Sequence, residues 1–190
     1  MLTDFDDIDG LKRGSEHAFS QLLGAYSKKI FNLCLSILQN QEDAEDATQE
    51  VFSTVFLSVK EFKGESKLTT WLYRIAINKC QEHIRKKSRK KRFGFLTSID
   101  SSEKALLSPS FFHPGVELEN KERSAILFAA IDKLPENQKL AFTLHKIEGV
   151  SYEEIAEVMN TSISSVESLM FRAKQNLKKS FATYFEKNER

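Results

Sequence analysis

Between Thr69 and Arg92 the chain reads TTWLYRIAINKCQEHIRKKSRKKR, and seven of its last eight residues, Arg85 to Arg92, are basic. Apolar Leu72, Ile75, Ala76, Cys80 and Ile84 recur at helical spacing, so one face of a helix can pack on a core. The other face carries Arg74, Lys79, Arg85 and Arg89, with Trp71 and Tyr73 at its start. Cations that track phosphates, beside aromatics that stack bases, supply the chemistry needed to hold opened DNA.

Residues 151–179 carry a second signal of the same kind. Ser151-Tyr-Glu-Glu154 has the form of a capping box opening a short helix at 152–159. Asn160-Thr161-Ser162 turns the chain, and Ser164-Ser-Val-Glu167 reads as a second capping box opening a longer helix to about Phe185. Small Ala156 sits where two helices must approach, and Val166 where the second returns to the core. The lengths are those of a helix-turn-helix, whose second helix enters the major groove by its N-terminus. Ser164, Ser165 and Ser168 lie at that end, and Arg172, Lys174, Lys178 and Lys179 follow within reach of phosphates. Glu167 repels phosphate. It either bonds back to the cap residue's N–H, the reading favoured by its position, or accepts from cytosine N4.

A third constellation is acidic. Asp43, Asp46 and Glu50 fall at i, i+3 and i+7, flanked by Glu42, Glu45 and Gln49. Acids near a helix N-terminus favour its dipole, but this density exceeds what capping requires. A docking face for a basic partner is the sharper alternative. The net charge of +1 hides this segregation. Residues 69–92 hold nine Lys/Arg against Glu82, and residues 41–61 hold six acids against Lys60, which points to one polyanionic and one basic partner.

The four histidines, His17, His83, His113 and His145, lack metal-ligand spacing, and neither a glycine-rich phosphate loop nor a nucleophile elbow is present. No catalysis, cofactor or metal is therefore expected. Cys34 and Cys80 fall on apolar helix faces and outside any CxxC pair, so both read as buried thiols of a reducing cytosol. With no signal peptide and no apolar run near ~18 residues, the expectation is a soluble cytoplasmic protein.

These segments need a helical frame, and strand signal is almost absent. One helix is expected over 15–39, with Phe19, Leu22, Leu23, Tyr26, Ile30, Leu33, Ile37 and Leu38 on one stripe. A second is expected over 42–60, with Ala44, Ala47, Val51, Phe52, Val55, Phe56 and Val59 inward. The turn Lys63-Gly64-Glu65-Ser66 leads to the cationic helix, with Thr69 or Thr70 as its cap. Residues 93–119 hold two of the three prolines and five serines without helical period, and read as a flexible linker. Helices at about 120–133, from Pro135 to Gly149, and the helix-turn-helix complete the chain. The expected architecture is all-α: an N-terminal domain at 1–92, a linker at 93–119 and a C-terminal domain at 120–190.

The order of segments resembles an RNA polymerase sigma factor of the small extracytoplasmic-function (ECF) group. Asp43-Ala-Glu-Asp-Ala-Thr-Gln-Glu-Val-Phe52 is similar to that family's polymerase-docking helix. Phe62 through Asn78, FKGESKLTTWLYRIAIN, is similar to its promoter-melting segment, and Leu134-Pro135 through Lys174, with SYEEIAEVMN and FRAK, to its C-terminal DNA-binding domain.

The resemblance implies that Asp43, Asp46, Gln49 and Glu50 dock on the coiled coil of the beta-prime subunit of core RNA polymerase, with the beta subunit a further contact. It implies that the loop of Lys63, Glu65, Ser66 and Lys67 captures a base flipped from the minus-ten element, beside Trp71. Asn78 would read or hold that strand, and Arg74, Lys79 and the basic block from Arg85 to Arg92 its phosphates. Ser164, Ser165, Ser168, Arg172 and Lys174 would address the minus-thirty-five element of promoter DNA. An anti-sigma factor is implied as a further partner, without membrane insertion of this chain. The chain departs from the family at Glu167 and Leu169, where members often carry basic residues. The alternative from another class is a stand-alone helix-turn-helix regulator, which leaves the acidic stripe and the Trp71 segment without a purpose.

Overall fold

The computed structural model describes residue 5, residues 7–97 and residues 121–188. The described residues form eight α-helices and no strand: α1 (Ile8–Lys12), α2 (Glu16–Leu38), α3 (Gln41–Ser58), α4 (Leu68–Thr97), α5 (Lys121–Asp132), α6 (Glu136–Lys146), α7 (Tyr152–Val158) and α8 (Ile163–Asn188). The all-α expectation holds. The expected linker lies outside the described residues from position 98 onward, and its first part, residues 93–97, belongs to the end of α4.

Local chemistry sets the boundaries. Ser15 caps α2 by accepting from the Ala18 N–H. Gln39 ends that helix in the left-handed region at φ 51°, and Asn40 opens α3 by accepting from the Asp43 N–H at 2.8 Å. A two-residue corner thus reverses the chain. A 3-10 turn at Val59–Glu61 and Gly64, at φ 73°, then shape the loop leading to α4. Two expected caps are corrected. Thr69 and Thr70 are buried inside the first turn of α4 instead of capping it, and the Trp71 N–H bonds to the Lys67 carbonyl at 3.2 Å. Ser162, not Ser164, opens α8, accepting from the Ser165 N–H at 3.2 Å. The expected box at 151–154 is formed, with both reciprocal bonds present. Helix α1 is unforeseen, held by Asp7 accepting from the Gly10 N–H at 2.8 Å.

Helices α2, α3 and α4 pack against one another, with α1 on α2. In the C-terminal half α8 gathers α5, α6 and α7. The two halves also meet: α2 touches α6, and α4 touches α7. One continuous core runs through this junction. It joins Leu22, Ile30, Leu33, Leu72 and Ala76 to Leu140, Leu144, Ile155 and Val166. A smaller cluster, Phe128, Ile131, Leu134, Ala173 and Leu177, fixes α5 on α8. Gln39 Nε2 donates to the Phe128 carbonyl at 2.9 Å, tying the α2–α3 corner to α5. Cys34 and Cys80 are free thiols buried in the main core, as their positions implied.

Candidate nucleic-acid interface

Residues 64–67 of the loop form one wall of a groove of about 830 Å³ at the N-terminus of α4. Lys63, Glu65 and Lys67 are exposed and Ser66 is half-buried. Behind them the Trp71 ring rests 5.2 Å from the Phe62 ring, half-buried and fixed by that contact. Tyr73, which the sequence offered as a second stacking ring, is buried in the core instead, and its hydroxyl pKa is pushed up by burial and then by the charges of Glu148 and Glu154.

The far wall of this groove comes from the other half of the chain: Ser151, Glu153, Glu154 and Glu157. Lys67 Nζ donates to Glu154 Oε1 at 2.8 Å, and that bond holds the Glu154 carboxyl below its usual range. Arg74 donates through Nε at 3.0 Å and Nη2 at 2.6 Å to one acceptor, the Glu157 carbonyl oxygen. Asn78 is exposed on a second hollow that includes Arg74, Gln81, Asn137 and Asn160. Arg74, Asn78 and the loop therefore share one side of α4, facing α7. Lys79 does not join them. It pairs with Glu82 at 3.3 Å and borders the α3 groove of Asp46, Gln49 and Glu50. Arg85 is exposed and donates to the Gln81 carbonyl of its own helix at 3.2 Å.

The acidic stripe of α3 is exposed at Asp46 and Gln49 and half-buried at Asp43 and Glu50. Its ends already face basic side chains: Lys87 lies 2.7 Å from Asp43, while His83 and Lys86 lie 3.4 and 3.9 Å from Glu50. Two apolar side chains accompany it. Phe56, expected inward, is 55% exposed and makes an edge contact with Phe19, and Leu57 is 78% exposed in the same groove as Asp46. Leu57 follows Glu50 by seven residues, so the helical stripe that identified the acids also contained it.

On α8, Val166, Met170, Ala173 and Leu177 are buried, which turns Ser164, Ser168, Arg172 and Lys174 outward and leaves Ser165 half-exposed. The Ser162 hydroxyl joins those of Ser164 and Ser165 at 3.0 and 2.9 Å. Because α8 starts before Ser164, Glu167 lies too deep in the helix to close a capping box there. It is an exposed residue beside Ser168, Phe171 and Arg172. Phe171, 64% exposed, was not among the residues singled out by sequence. It lies off the buried stripe by one position from Met170, and that misfit was the available signal.

Residues 22–90 match the model of the Sigma-70 region 2 family, and residues 118–177 that of Sigma-70, region 4. The chain is 33% identical to the RNA polymerase sigma-H factor of Pseudomonas aeruginosa, covering 94% of this chain and 95% of that one. It is 33% identical to the ECF RNA polymerase sigma-E factor of Haemophilus influenzae and 31% identical to that of Escherichia coli strain K12, in each case over 92% of this chain and over 93% and 92% of theirs. The chain belongs to the ECF group of RNA polymerase sigma factors.

It is thus a bacterial sigma factor that directs promoter-specific transcription, in a family that is generally non-enzymatic. Its fold is shared with CnrH in complex with the cytosolic domain of CnrY, at TM-score 0.66 and 20% identity over 93% of this chain and 95% of that one. The sigma factor RpoE of Bartonella quintana, in complex with the anti-sigma factor NepR, aligns at TM-score 0.67 and 22% identity over 86% and 96%. Among the described residues of this sigma factor no helix is long and apolar enough to cross a membrane.

Proposed function

We propose that this sigma factor grips promoter DNA at two points and docks on core RNA polymerase at a third. Residues 1–92 form the polymerase-docking and minus-ten domain, residues 120–190 the minus-thirty-five domain, and residues 93–119 the link between them. The acidic face of α3, Asp43 with the groove of Asp46, Gln49, Glu50 and Leu57, meets a basic face of the beta-prime subunit. The beta subunit is a further polymerase contact.

Minus-ten capture falls to the loop Lys63, Glu65, Ser66 and Lys67, with Trp71, Arg74 and Asn78 on the following helix. Flipping a base costs a few kcal/mol in lost stacking and pairing, which a pocket lined by cations and an aromatic ring can offset. Lys79 and Arg85 serve the DNA backbone from farther along α4. The exposed face of α8, Ser164, Ser165, Ser168, Arg172 and Lys174, addresses the minus-thirty-five duplex, with Phe171 available to a thymine methyl. Cytoplasmic residence follows from this work at the chromosome. An anti-sigma partner is supported by the two related folds, each in complex with a second protein.

The observation that carries this reading is three surfaces of different lining: a groove along α3 with Asp46, Gln49, Glu50 and Leu57, a hollow at the start of α4 with Lys63, Trp71 and Arg74 among Glu61, Glu65 and Glu157, and a face on α8 with Ser168, Phe171 and Arg172. Co-elution with core RNA polymerase tests it. Wild type is expected to bind stoichiometrically, and the pair Asp43→Lys with Asp46→Lys to elute separately. Undiminished binding by that pair would remove α3 as the dock.

A further inference from the structure

Glu167 is a charge on the exposed face of α8 that the helix itself does not use. Ser162 opens α8, which makes Glu167 its fifth residue, beyond the cap and beyond the first turn where the helix dipole rewards an acid. The residues three and four positions away are Ile163, Ser164, Met170 and Phe171, so its own helix offers it no cation. Among the described residues it makes no ion pair and no side-chain hydrogen bond.

A carboxylate has acceptor oxygens only, and these stand on the surface assigned above to the minus-thirty-five duplex. Phosphates repel them, so a base donor is what they can serve there. In the major groove donors come from cytosine N4 and adenine N6. Adenine sets the acceptor N7 beside its donor, guanine offers the acceptors O6 and N7, and thymine offers O4 and a methyl group. Cytosine is the base whose edge gives a carboxylate a donor with no acceptor of its own beside it.

We propose that Glu167 is a specificity-determining residue that selects a cytosine in the minus-thirty-five element by accepting a hydrogen bond from its N4 group. This rests on the assignment of α8 to that element in the preceding subsection.

The surroundings fit a reader of bases. Glu167 shares one hollow with Ser168, Phe171 and Arg172, all of them exposed. Phe171 follows it by four residues, which sets their β-carbons about 5–6 Å apart on one face. Base pairs are spaced about 3.4 Å along the duplex, so a ring resting on a thymine methyl would fall within about two base pairs of the cytosine. Arg172 makes no ion pair among the described residues, and its cation offsets the repulsion between Glu167 and the neighbouring phosphates. Beneath them Val166, Met170 and Ala173 are buried, so the readers project from a helix fixed by its packing.

The test uses holoenzyme reconstituted from the full chain and core RNA polymerase. It is mixed with duplexes of random sequence, the retained ones are sequenced, and their upstream blocks are aligned. Wild type is compared with Glu167→Ala, Glu167→Gln and Glu167→Arg. Gln175→Arg, at an exposed position farther along α8, is the control for added charge. Circular dichroism melts verify that each variant is folded.

Wild type is expected to favour cytosine by roughly fivefold to tenfold at one position of the upstream block. Glu167→Ala is expected to lose that preference at that position alone, while total retention rises because a carboxylate has left a phosphate-facing surface. Glu167→Gln is expected to turn the preference toward adenine, and Glu167→Arg toward guanine, the bases whose edges match those side chains. Gln175→Arg is expected to raise retention and to leave every base preference as it was.

An upstream block of the same composition in wild type and Glu167→Ala would overturn the reading role and leave α8 at the minus-thirty-five element. A wild-type block without a favoured cytosine would do the same. Retained duplexes that share no upstream block would overturn that assignment and the reading role together.

Discussion

Lys87 Nζ lies 2.7 Å from Asp43 Oδ2, so the basic run of α4 is tied to the acidic face of α3 within one chain. Members of the two charge blocks that sequence assigns to different partners thus pair within the chain, Lys87 with Asp43 and Lys86 with Glu50. Solvent reaches both side chains, 57% exposed for Lys87 and 32% for Asp43, so the pair is a weak clasp. Lys87→Ala is expected to lower stability by less than about 1 kcal/mol, and by less still at high salt. Urea unfolding at two ionic strengths measures this. A loss that persisted in salt would show that Lys87 acts through packing.

The start of α8 allows a direct comparison of two serines. Ser162 supplies the side-chain acceptor for the Ser165 N–H, whereas Ser164 is an exposed residue of the first turn. Ser162→Ala is expected to cost about 1 kcal/mol, and Ser164→Ala less than about 0.5 kcal/mol. Equal losses in denaturant titrations would return the cap to Ser164.

Glu148 gives the fold a pH dependence. Burial pushes its carboxyl up to about 7, with partial relief from Lys29. Tyr73, buried nearby, adds no positive charge. A folded-state value above the unfolded one, about 4.3, means the folded chain holds this proton more tightly. The contribution is therefore complete below the unfolded value, declines as pH rises, and is lost above about 7. Glu148→Gln is expected to gain about 1–2 kcal/mol over wild type near pH 8 and nothing near pH 4. Urea unfolding across that range tests it, and a gain that did not vary with pH would exclude the carboxyl as its source.

Leu144 is fully buried in the core that both halves share. Leu144→Ala is expected to cost about 2–5 kcal/mol. The wild type is expected to unfold in one transition, because the cluster is continuous across the junction. Trp71, the single tryptophan, sits beside Glu157 at that junction and reports its opening by fluorescence. Coincident melts by fluorescence and far-ultraviolet circular dichroism would bear this out, and a lower fluorescence midpoint would show that the halves separate first.

What the sequence made legible was whatever repeats along a helix. The stripes through Leu22 and Ile30, and through Val166 and Met170, mark buried faces correctly because burial follows the 3.6-residue period. The Ser151–Glu154 box was readable because both partners lie within one turn. Helix starts chosen among neighbouring hydroxyls were not. Ser162, Ser164 and Ser165 are chemically alike, and the backbone path of the turn decides among them. Phe56 was misplaced: the period sets it inward, yet it stands 55% exposed with an edge contact to Phe19.

The largest gap was between the halves. Lys67 and Glu154 are 87 positions apart, and no periodicity links them. In the sequence Lys67 reads as a DNA contact and Glu154 as a helix cap, and neither role contains their meeting.

Arg74 reaches across that gap to a main-chain oxygen, not to a side chain. Any residue at position 157 presents that oxygen, so substitutions there leave the acceptor in place. Position 74 has no such latitude, since the guanidinium there converges two N–H donors, Nε and Nη2, on that one oxygen. A genetic screen for chains that open too readily should therefore return changes at Arg74, Lys67 and Glu154, and few at Glu157. That contact would be inherited through one partner's identity and the other's mere presence in a helix.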